Sequence, residues 1–476
     1  MKKYEQVSQT ISEQIAQGIY KTGDRLPSIR HLSEQMGFSI STIQEAYLLL
    51  EQRGVTEVRP KSGHYVTQQQ QRLLDLPAMP EYSARPKETS TWAKVFHVLY
   101  QGESADVLYL GRAVPNLSVG TLKPLQSALA SLTRKGELRG LTYDYIFGCD
   151  ELRRQITRIA VDSGCNLSSE EVVITSGCQE ALASSLRAIT SPGDTVVVDS
   201  PSFYGSLQAI EACGLKILEL PTHPEHGISL TALELAFEQW PVKACLITPT
   251  FNNPLGYTMT DERKARLIEL LNRYDVPLIE DDIYGDLAYE LPRPRSIKSF
   301  DTEGRVILCS SFSKTLAPGL RVGWVAPGRY ASRVMHMKYI SSMSSATLPQ
   351  LAVADFIARG GYDRHLKKVR GLYKRGRDYL LEWIRRYFPE GTRVSHPNGG
   401  YLLWIELPAH VDAMQLTTRA MDRGVGVAPG ELFSSTGKFN HHIRLNYADC
   451  PNAKMERGVQ ILGELVAQMS SVNDTD

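Results

Sequence analysis

The first 67 residues carry hydrophobic positions at a helical spacing. Four aliphatic residues recur at every fourth position and predict a first helix: Val7, Ile11, Ile15 and Ile19. The segment GDRLPS (23–28) then predicts a turn, and Ser28 can accept a hydrogen bond from the first turn of a second helix. This second helix is expected to run from Ile29 to Met36 and to end at Gly37.

A third helix and a hairpin complete this segment. Ser39 or Ser41 can cap the third helix, which ends at Gly54 and turns five side chains inward: Ile43, Ala46, Tyr47, Leu49 and Leu50. Residues 55–66 (VTEVRPKSGHYV) alternate around a Pro-Lys-Ser-Gly turn, as in a small hairpin. Three helices and a hairpin with a basic tip indicate a winged helix-turn-helix domain over residues 1–67. A small helical domain that contacts another protein is the alternative interpretation.

A change in composition begins at Gln68. The glutamine run Gln68–Gln71 is followed, after one arginine, by LLDLPAMPEYSARPKETS, which is rich in proline and polar residues. Proline-rich and polar segments of this kind are typical of linkers, because they cannot bury enough apolar surface to fold. We therefore expect a linker over residues 68–104 between two domains.

From residue 105 to residue 476, short β-rich runs alternate with helical segments, which predicts an α/β domain. Five of these runs end in polar, glycine or proline residues: EVVITSG, DTVVVDSP, KACLITPT, VPLIEDD and RVILCSS. Ligands in open α/β sheets bind where strands end. The functional residues are therefore expected at these five ends.

Composition and charge narrow the class of protein. A chain of 476 residues is long enough for two or three domains. Lys and Arg number 53 against 52 for Asp and Glu, so any surface for nucleic acid must be local. Seven scattered cysteines, without a C-x-x-C pair, indicate reduced thiols. Because no apolar run approaches the roughly 20 residues of a spanning helix, we expect a cytoplasmic protein that does not contact membranes.

Lys314 lies among small hydroxyl residues in CSSFSKTLAPGLRVGW, just after an apolar run. A lysine at the end of a buried strand is costly to desolvate unless its amine is used there. The hydroxyls of Ser311 and Ser313 and the guanidinium of Arg321 can bind a phosphate nearby. Three more residues follow EVVITS at the start of a helix, where free N–H groups favour an anion: Gly177, Cys178 and Gln179.

Four residues at the other strand ends suit a flat, charged ring. Asp281 can pair with a protonated pyridine nitrogen, Asn253 and Tyr284 can donate to a phenolate oxygen, and Phe203 can cover a ring face. With the phosphate donors and the amine, they describe pyridoxal 5′-phosphate held as a Schiff base on Lys314. Lys314 and Asp281 are the predicted catalytic residues, and no metal site is predicted.

Each of these residues also has an ordinary interpretation. Gly177 can be a turn residue, Asp281 a surface acid, Asn253 a β-turn residue and Phe203 a core residue. Taken singly, each ordinary interpretation is the better one. The five elements together, each at the end of a strand, favour the cofactor.

The exposed side of the third helix carries polar side chains that can reach base edges or phosphates. We expect the following residues of this helix, its surroundings and the hairpin to contact DNA: Arg25, Ser28, Arg30, Ser41, Thr42, Gln44, Arg59, Lys61, Gly63 and His64. Residues 1–67 hold eight Lys and Arg against seven Asp and Glu. The side that faces DNA must therefore be basic by arrangement rather than by composition.

The stretch GDRLPSIRHLSEQMGFSISTIQEAYLLLEQRG, with RPKSGHYV, resembles the GntR family of bacterial winged-helix regulators. Residues 105–470 resemble fold-type I pyridoxal-phosphate enzymes of the aspartate aminotransferase group. This second resemblance implies a large domain with a mainly parallel sheet and a smaller α+β domain from about residue 340. It implies cofactor contacts from Asn253, Asp281, Tyr284, Ser311, Ser313, Lys314 and Arg321.

The same resemblance implies two further roles. Arg444 in HHIRLNYA would bind a substrate or effector carboxylate, and Tyr143 in TYDYIFG would reach the phosphate from the other subunit. Residues 398–400 (Asn-Gly-Gly) would lie in the small C-terminal domain.

A GntR-type winged helix, a linker and an aminotransferase-like body form the layout of the MocR subfamily of bacterial regulators. This resemblance implies a head-to-tail homodimer that binds double-stranded operator DNA and senses pyridoxal phosphate, an amino-acid or amine effector, or both. The alternative is a working aminotransferase with an N-terminal docking module, since the residues for that chemistry are present. We favour the regulator because a tethered winged helix has little use in amino-acid metabolism alone.

Overall fold

The structure is a computed structural model that describes residues 3–16, 19–21, 23–52, 55–59, 62–66, 74–79, 85–87, 107–134 and 138–471. The chain divides into two compact units, Met1–Leu74 and Asp75–Asp476. Within the described ranges, no helix combines the length and the apolar character needed to cross a membrane. None of the seven cysteines, all of which are described, forms a disulfide.

The first unit contains three helices and a hairpin. Its elements are α1 (Lys3–Ala16), α2 (Ile29–Met36), α3 (Ile40–Gln52), β1 (Thr56–Arg59) and β2 (Gly63–Val66). The predicted caps of α2 are confirmed: Ser28 Oγ accepts a hydrogen bond from the N–H of His31 at 3.3 Å, and Gly37 ends the helix with a φ of 67°. Of the two candidates for α3, Ser39 is the cap, since its Oγ accepts from the N–H of Thr42 at 3.3 Å.

Most of the predicted inward residues of the first unit form its core, whereas Leu49 is half-buried and lies outside the core cluster. Val7, Ile11, Ile43 and Leu50 are at most 2% exposed and lie in one cluster. The prediction for Ile19 is wrong, because the described part of α1 ends at Ala16 and Ile19 lies beyond it with 60% of its surface exposed. The strands β1 and β2 pair antiparallel, with Arg59 opposite Gly63, as expected for the wing.

The second unit is built on an eight-stranded sheet. The strands are β4 (Val173–Thr175), β5 (Thr195–Ser200), β6 (Lys216–His223), β7 (Gly227–Ile228), β8 (Val242–Ile247), β9 (Leu278–Asp281), β10 (Val306–Ser311) and β11 (Gly323–Ala326). Their order in the sheet is β4-β11-β10-β9-β8-β5-β6-β7. The five predicted runs are all strands, and the sheet is mainly parallel as predicted.

The direction of the strands brings the predicted functional residues to one edge of the sheet. β11 runs antiparallel to both β10 and β4, so β4 points the same way as β10, β9, β8 and β5. The carboxyl ends of the five predicted strands therefore meet at one edge of the sheet. β6, β7 and β11 were not predicted.

Helices cover both faces of this sheet. Along β5, Val197 belongs to one buried cluster, while Val196 and Val198 belong to another, because successive side chains of a strand point to opposite faces. The helices of this unit are α4 (Lys123–Arg134), α5 (Asp150–Asp162), α6 (Cys178–Ile189), α7 (Tyr204–Ala212), α8 (Leu230–Gln239), α9 (Asp261–Tyr274), α10 (Ala331–Ser342), α11 (Thr347–Ala358), α12 (Gly361–Tyr387), α13 (Ala413–Asp422) and α14 (Ala453–Ser471).

A smaller antiparallel sheet lies in the last third of the chain. Its strands, in the order β12-β13-β16-β15, are β12 (Arg393–Val394), β13 (Leu402–Glu406), β16 (His442–Asn446) and β15 (Ala428–Pro429). A separate parallel pair joins β14 (Val425–Gly426) to β3 (Leu108–Tyr109). Together these strands and helices α13 and α14 form the smaller α+β part that the resemblance implied.

Most of the predicted linker, 68–104, lies outside the described residues. Two short pieces, 74–79 and 85–87, are described, and from Asp75 onwards they belong to the second unit. The carbonyl of Asp75 accepts a hydrogen bond from the N–H of Val394 at 2.9 Å. Lys87 pairs antiparallel with Ile217 at the start of β6. These pieces are therefore hydrogen-bonded to the rest of the second unit.

Candidate cofactor site and DNA-facing surface

A cavity of about 170 Å³ lies at the carboxyl edge of the large sheet. Ten of the predicted site residues line it: Cys178, Gln179, Phe203, Asn253, Asp281, Tyr284, Ser311, Ser313, Lys314 and Arg321. Four more were not singled out from the sequence: Leu182, Thr248, Ile283 and Pro318. These residues come from the ends of five strands, which are spread over more than 130 positions of the chain. They thus line one small cavity.

Lys314 lies three residues beyond β10, and its amine points into this space. The Nζ atom donates a hydrogen bond to the carbonyl of Ala113 at 2.7 Å. Burial, and next the positive charge of Arg444, lower the pKa of Lys314 to about 8. At pH 7 roughly a tenth of such an amine is unprotonated, against well under a thousandth for an ordinary lysine. The site therefore favours the nucleophilic form of this side chain.

Asp281 is the last residue of β9 and is 5% exposed. Its Oδ1 accepts a weak hydrogen bond from the thiol of Cys178 at 3.5 Å. Burial raises the pKa of Asp281 to about 6, so the carboxylate is still mostly ionised at neutral pH. A buried anion at the wall of a cavity is stabilised by a cation that enters the cavity.

One end of the cavity suits an anion. Gly177, with a φ of 89°, precedes α6, so the helix begins at Cys178 with its free N–H groups. The guanidinium of Arg321 lies directly against this glycine, and a Cβ at position 177 would stand 2.3 Å from its Nη2. Arg321 itself has a φ of 52° and donates from Nη2 to the carbonyl of Ser176 at 2.8 Å. Only glycine leaves room for this approach.

Two residues behind this end were missed by the sequence analysis. Glu180, in the first turn of α6, accepts a hydrogen bond from the N–H of Ser176 at 2.5 Å. Lys338, which is fully buried in α10, forms an ion pair with Glu180 at 3.2 Å. The lysine offsets an acidic charge that would oppose an anion at the start of α6. No local signal links these residues, because 158 positions separate them.

The opposite side of the cavity holds aromatic and amide groups. Tyr284 is 2% exposed, and its hydroxyl has no hydrogen-bond partner among the described residues. A buried hydroxyl without a partner is uncommon in native proteins and suits a ligand oxygen. Phe203 lies at the start of α7 with its ring against Gly205, whose carbonyl accepts a hydrogen bond from Gln179 at 2.7 Å.

Arg444, in β16, links the cavity to the smaller sheet. It is 1% exposed and donates from Nη1 to Oδ1 of Asn253 at 2.9 Å and from Nη2 to the carbonyl of Gly111 at 2.6 Å. Its Nε has no partner among the described residues. The guanidinium carbon lies 4.9 Å from the ring centre of Phe433. This buried cation next to the lysine can bind a carboxylate.

The structure does not bring Tyr143 into the cavity of its own chain. Its side chain is 81% exposed. Two neighbouring side chains are exposed to a similar extent, Leu141 at 82% and Tyr145 at 79%. The prediction that Tyr143 acts in another subunit concerns a second chain.

The predicted DNA contacts of the first unit lie mostly on its surface. Arg25, Ser28, Arg30, Ser41 and Gln44 are exposed. The hydroxyls of Ser41 and Thr42 lie 3.0 and 2.8 Å from Ser39 Oγ at the start of α3, so they stand together at the helix N-terminus. Such a cluster of donors suits phosphates or base edges.

The wing residues differ in their surroundings. Arg59 is exposed, forms an ion pair with Glu57 at 2.8 Å and lies over the ring of Tyr65. Gly63 has a φ of 111° and lies against the guanidinium of Arg25. His64 instead packs its ring 4.5 Å from that of Tyr47 in the core, and burial lowers its pKa. Lys61 lies outside the described residues.

The fold and the cavity define the class of protein: a winged helix-turn-helix unit joined to a fold-type I, aminotransferase-like unit. Residues 3–66 match the family "Bacterial regulatory proteins, gntR family", and residues 108–462 match "Aminotransferase class I and II". The chain belongs to the aminotransferase class I and II family and, through its GntR unit, to the MocR subfamily of bacterial regulators.

Individual relatives agree with this assignment. An uncharacterized HTH-type transcriptional regulator, YjiR of Escherichia coli K12, is 42% identical over 98% of this chain and 99% of its own. Aromatic-amino-acid aminotransferase 1 of Thermococcus litoralis is 31% identical over 77% of this chain and 89% of its own. The crystal structure of a multiple substrate aminotransferase from Thermococcus profundus has a TM-score of 0.73 and 29% identity, covering 80% of this chain and 96% of its own.

Proposed function

We propose that the protein is a transcription regulator that binds pyridoxal 5′-phosphate in the cavity at Lys314 and responds there to the cofactor, to an amino compound, or to both. The observation that carries this proposal is the buried amine of Lys314 beside Asp281 in a chain that begins with a winged helix. The family and its solved relatives imply the cofactor, and the donor set of the cavity fits it.

The fit rests on three features of the cavity. The start of α6, with Arg321 against Gly177, would hold the phosphate. The carboxylate of Asp281 would pair with the ring nitrogen, and the unpartnered hydroxyl of Tyr284 would donate to the ring oxygen. When bound, pyridoxal phosphate supplies an electrophilic carbonyl and a ring that withdraws electrons.

The chain's own residues prepare this chemistry. Lys314 supplies an amine whose lowered pKa leaves a useful fraction unprotonated at neutral pH. The same amine can hold or release a proton at the bottom of the cavity, where burial excludes bulk water. Asp281 remains mostly an anion and keeps its part of the cavity wall negative. These are the requirements both of a sensor that captures an amine and of an enzyme.

Arg444 suggests the class of effector. A buried guanidinium with a free Nε, within reach of the Lys314 site, suits the carboxylate of an amino acid. To bind a carboxylate, Arg444 would exchange its bonds to Asn253 and Gly111 for bonds to the ligand. An amino-acid effector would therefore change contacts between the large sheet and the smaller one, and we propose this change as the origin of the response.

The winged-helix unit would bind operator DNA as part of a dimer. Exposed aromatic and aliphatic side chains around Tyr143 support a second copy as partner, with Tyr143 contributing to the partner's cofactor site. Two winged helices in one dimer read two half-sites, which makes the second contact intramolecular. Such a protein works in the cytoplasm, where bacterial DNA lies.

Genome-wide DNA occupancy of the full-length protein is the experiment that tests this function. We expect a small number of sites, and gel shifts on those sites should change when pyridoxal phosphate or an amino acid is added. The genes beside the bound sites would indicate the effector. Absence of any preferred site, with and without the cofactor, would contradict the proposal.

A working aminotransferase is the second candidate, and one observation favours it. The groups proposed to bind the cofactor and a carboxylate would serve turnover equally well, and one relative at 31% identity is named an aromatic-amino-acid aminotransferase. Steady-state turnover with a panel of amino acids and 2-oxo acids separates the two. Turnover near zero with specific DNA binding supports the regulator, whereas rapid turnover without it supports the enzyme.

A further inference from the structure

A cluster of metal-ligating side chains lies outside the cofactor site, where β13 ends and β16 begins. Glu406 and His442 stand directly opposite each other on these strands, and His441 precedes β16. One ligand atom from each of the three residues lies within 4.8 Å of the others. The large-domain cavity and Lys314 contribute nothing to this cluster.

His442 carries the main evidence for a ligand. Its side chain is 4% exposed, and neither ring nitrogen has a hydrogen-bond partner among the described residues. The ring stacks on Trp404, with centres 5.2 Å apart and planes at 21°, so packing fixes its orientation. Buried polar atoms nearly always have a partner, and two orphaned nitrogens on one ring require an explanation.

A hydrogen bond sets the tautomer of His441 to one that suits a metal. Its Nδ1 lies 2.9 Å from the side-chain oxygen of Asn440, which can only accept, so Nδ1 carries the proton. This leaves Nε2 unprotonated, with a lone pair that can bind a metal. An imidazole that donates its other N–H to an oxygen is the usual arrangement of a metal-bound histidine. His441 is also partly exposed, which gives an ion a path to the cluster.

Glu406 completes the set and connects it to the linker. Its Oε1 accepts from Arg393 at 3.1 Å, and its Oε2 accepts from the N–H of Ala78 at 2.5 Å. A carboxylate has about four acceptor positions, so both bonds leave room for a metal. The charge of Arg393 opposes a cation here, but this arginine is 41% exposed and is screened by solvent.

We propose that Glu406, His441 and His442 bind a divalent transition-metal ion of the Zn²⁺ type. Two imidazoles and one carboxylate are a known ligand set for zinc that leaves a fourth position for water. Ligand atoms at about 2.1 Å from a tetrahedral ion are about 3.4 Å apart, so the donors must approach by at most about 1.4 Å. Rotation of the partly exposed His441 and of Glu406 can supply that movement.

The site lies at the point where a described piece of the linker meets the body. Ala78 is held by the same carboxylate that would bind the ion. A metal at Glu406 would therefore change how this end of the linker is held.

A second cluster provides the matched control. His223, Glu225 and His226 also lie within 4.8 Å of one another. There, however, Nδ1 of His223 already accepts a hydrogen bond from the N–H of Glu225 at 3.1 Å, and Glu225 and His226 are exposed. No nitrogen in this cluster is both buried and without a partner among the described residues.

The test is titration of the full-length protein with Co²⁺ and with Zn²⁺, followed by visible absorption and by thermal unfolding. We expect one Co²⁺ per chain, with d–d bands of nitrogen and oxygen ligands and without a thiolate charge-transfer band. His442→Phe keeps the stacking on Trp404, and Glu406→Gln keeps an acceptor for Ala78. Each should weaken binding by at least about 100-fold, more than the loss of a group that only orients a ligand.

The control variant His226→Asn should bind the ion as the wild type does. Zn²⁺ should raise the unfolding temperature of the wild type and of His226→Asn, but not of His442→Phe or Glu406→Gln. No stoichiometric binding to the wild type would overturn the proposal. Binding that survives in both His442→Phe and Glu406→Gln would also overturn it. Loss of binding in His226→Asn would do the same.

Discussion

The two binding regions of this chain are built in opposite ways. In the first unit, most of the groups predicted to contact DNA are exposed, and their bonds join residues close in sequence, such as Ser39 with Thr42 or Arg59 with Glu57. In the second unit, the groups around Lys314 are buried, and their bonds join distant parts of the chain, such as Arg444 with Asn253. Neighbouring buried groups depend on one another, whereas separated surface groups act almost independently.

This difference predicts how each region responds to substitution. Around Lys314, removal of one group leaves others unpaired in a low-dielectric space, so the effects should be large and strongly coupled. On the DNA-facing surface, water replaces each lost contact, and the effects should be small and additive.

Lys314→Ala should abolish covalent attachment of pyridoxal phosphate while leaving both units folded. Borohydride reduction of the wild type, followed by peptide mapping, should place all label on the Lys314 peptide, and the variant should carry none. The cofactor should still bind without a covalent bond, and more weakly, through Arg321 and the start of α6. Lys338 is the internal control, because it is a fully buried lysine that is paired with Glu180. Label on Lys338 would contradict the assignment of the reactive amine.

The sequence predicted this cavity well for a physical reason. Parallel strands end at one edge, so polar residues after EVVITSG, VPLIEDD and RVILCSS were bound to meet there once the strands were recognised. The left-handed backbone of Arg321, its contact with Gly177 and the Glu180–Lys338 pair were not predictable in this way. They depend on β11 lying between β4 and β10, a pairing that no local pattern specifies.

Arg444→Gln should weaken the response to amino acids by about 10- to 100-fold, which corresponds to the loss of a charged hydrogen bond to a carboxylate. The matched control ligand is the corresponding amine without the carboxylate. The variant should bind this amine with the affinity of the wild type. Absorbance titration of the cofactor-loaded protein measures both. Equal weakening for the two ligands would mean that Arg444 supports the cavity rather than binds the carboxylate.

Asp281→Asn tests the buried charge in the absence of cofactor. The folded pKa of about 6 lies above the usual value of about 3.8, so folding disfavours the ionised form. The resulting cost to stability is absent below about pH 4, grows as the pH rises towards 6 and is complete above it. The variant should therefore be more stable than the wild type by about 3 kcal/mol at pH 8 and equal to it near pH 4.

Denaturant unfolding of the cofactor-free protein at the two pH values measures this difference in stability. The relevant transition is that of the second unit. Addition of pyridoxal phosphate should stabilise the wild type more than the variant, because only the aspartate can pair with the ring nitrogen as an anion. A variant that is less stable than the wild type at pH 8 without cofactor would show that the carboxylate is already well paired inside the protein.

The winged helix shows where prediction from sequence is weakest. The helical period placed Ile43, Tyr47 and Leu50 in the core correctly, because burial is what creates the period. His64 was expected beside Arg59 on the DNA-facing side, yet its ring packs against Tyr47. Alternation along a four-residue strand is too short to decide which side a histidine faces, since its ring is both apolar and polar.

The smallest effects are expected on the DNA-facing surface, and a matched pair of substitutions separates its two kinds of contact. Arg59→Ala should weaken binding to operator and to scrambled DNA alike and reduce the salt slope by about 0.9, as for one lost phosphate contact. Gln44→Ala, on α3, should leave the slope unchanged and alter sequence preference by about 1 kcal/mol at one position, the lower end for a base contact. Glu57→Gln should strengthen binding slightly, because it releases Arg59 from its ion pair. Gel-shift titrations at several salt concentrations measure all three, and a change of sequence preference in Arg59→Ala would contradict its assignment to phosphate.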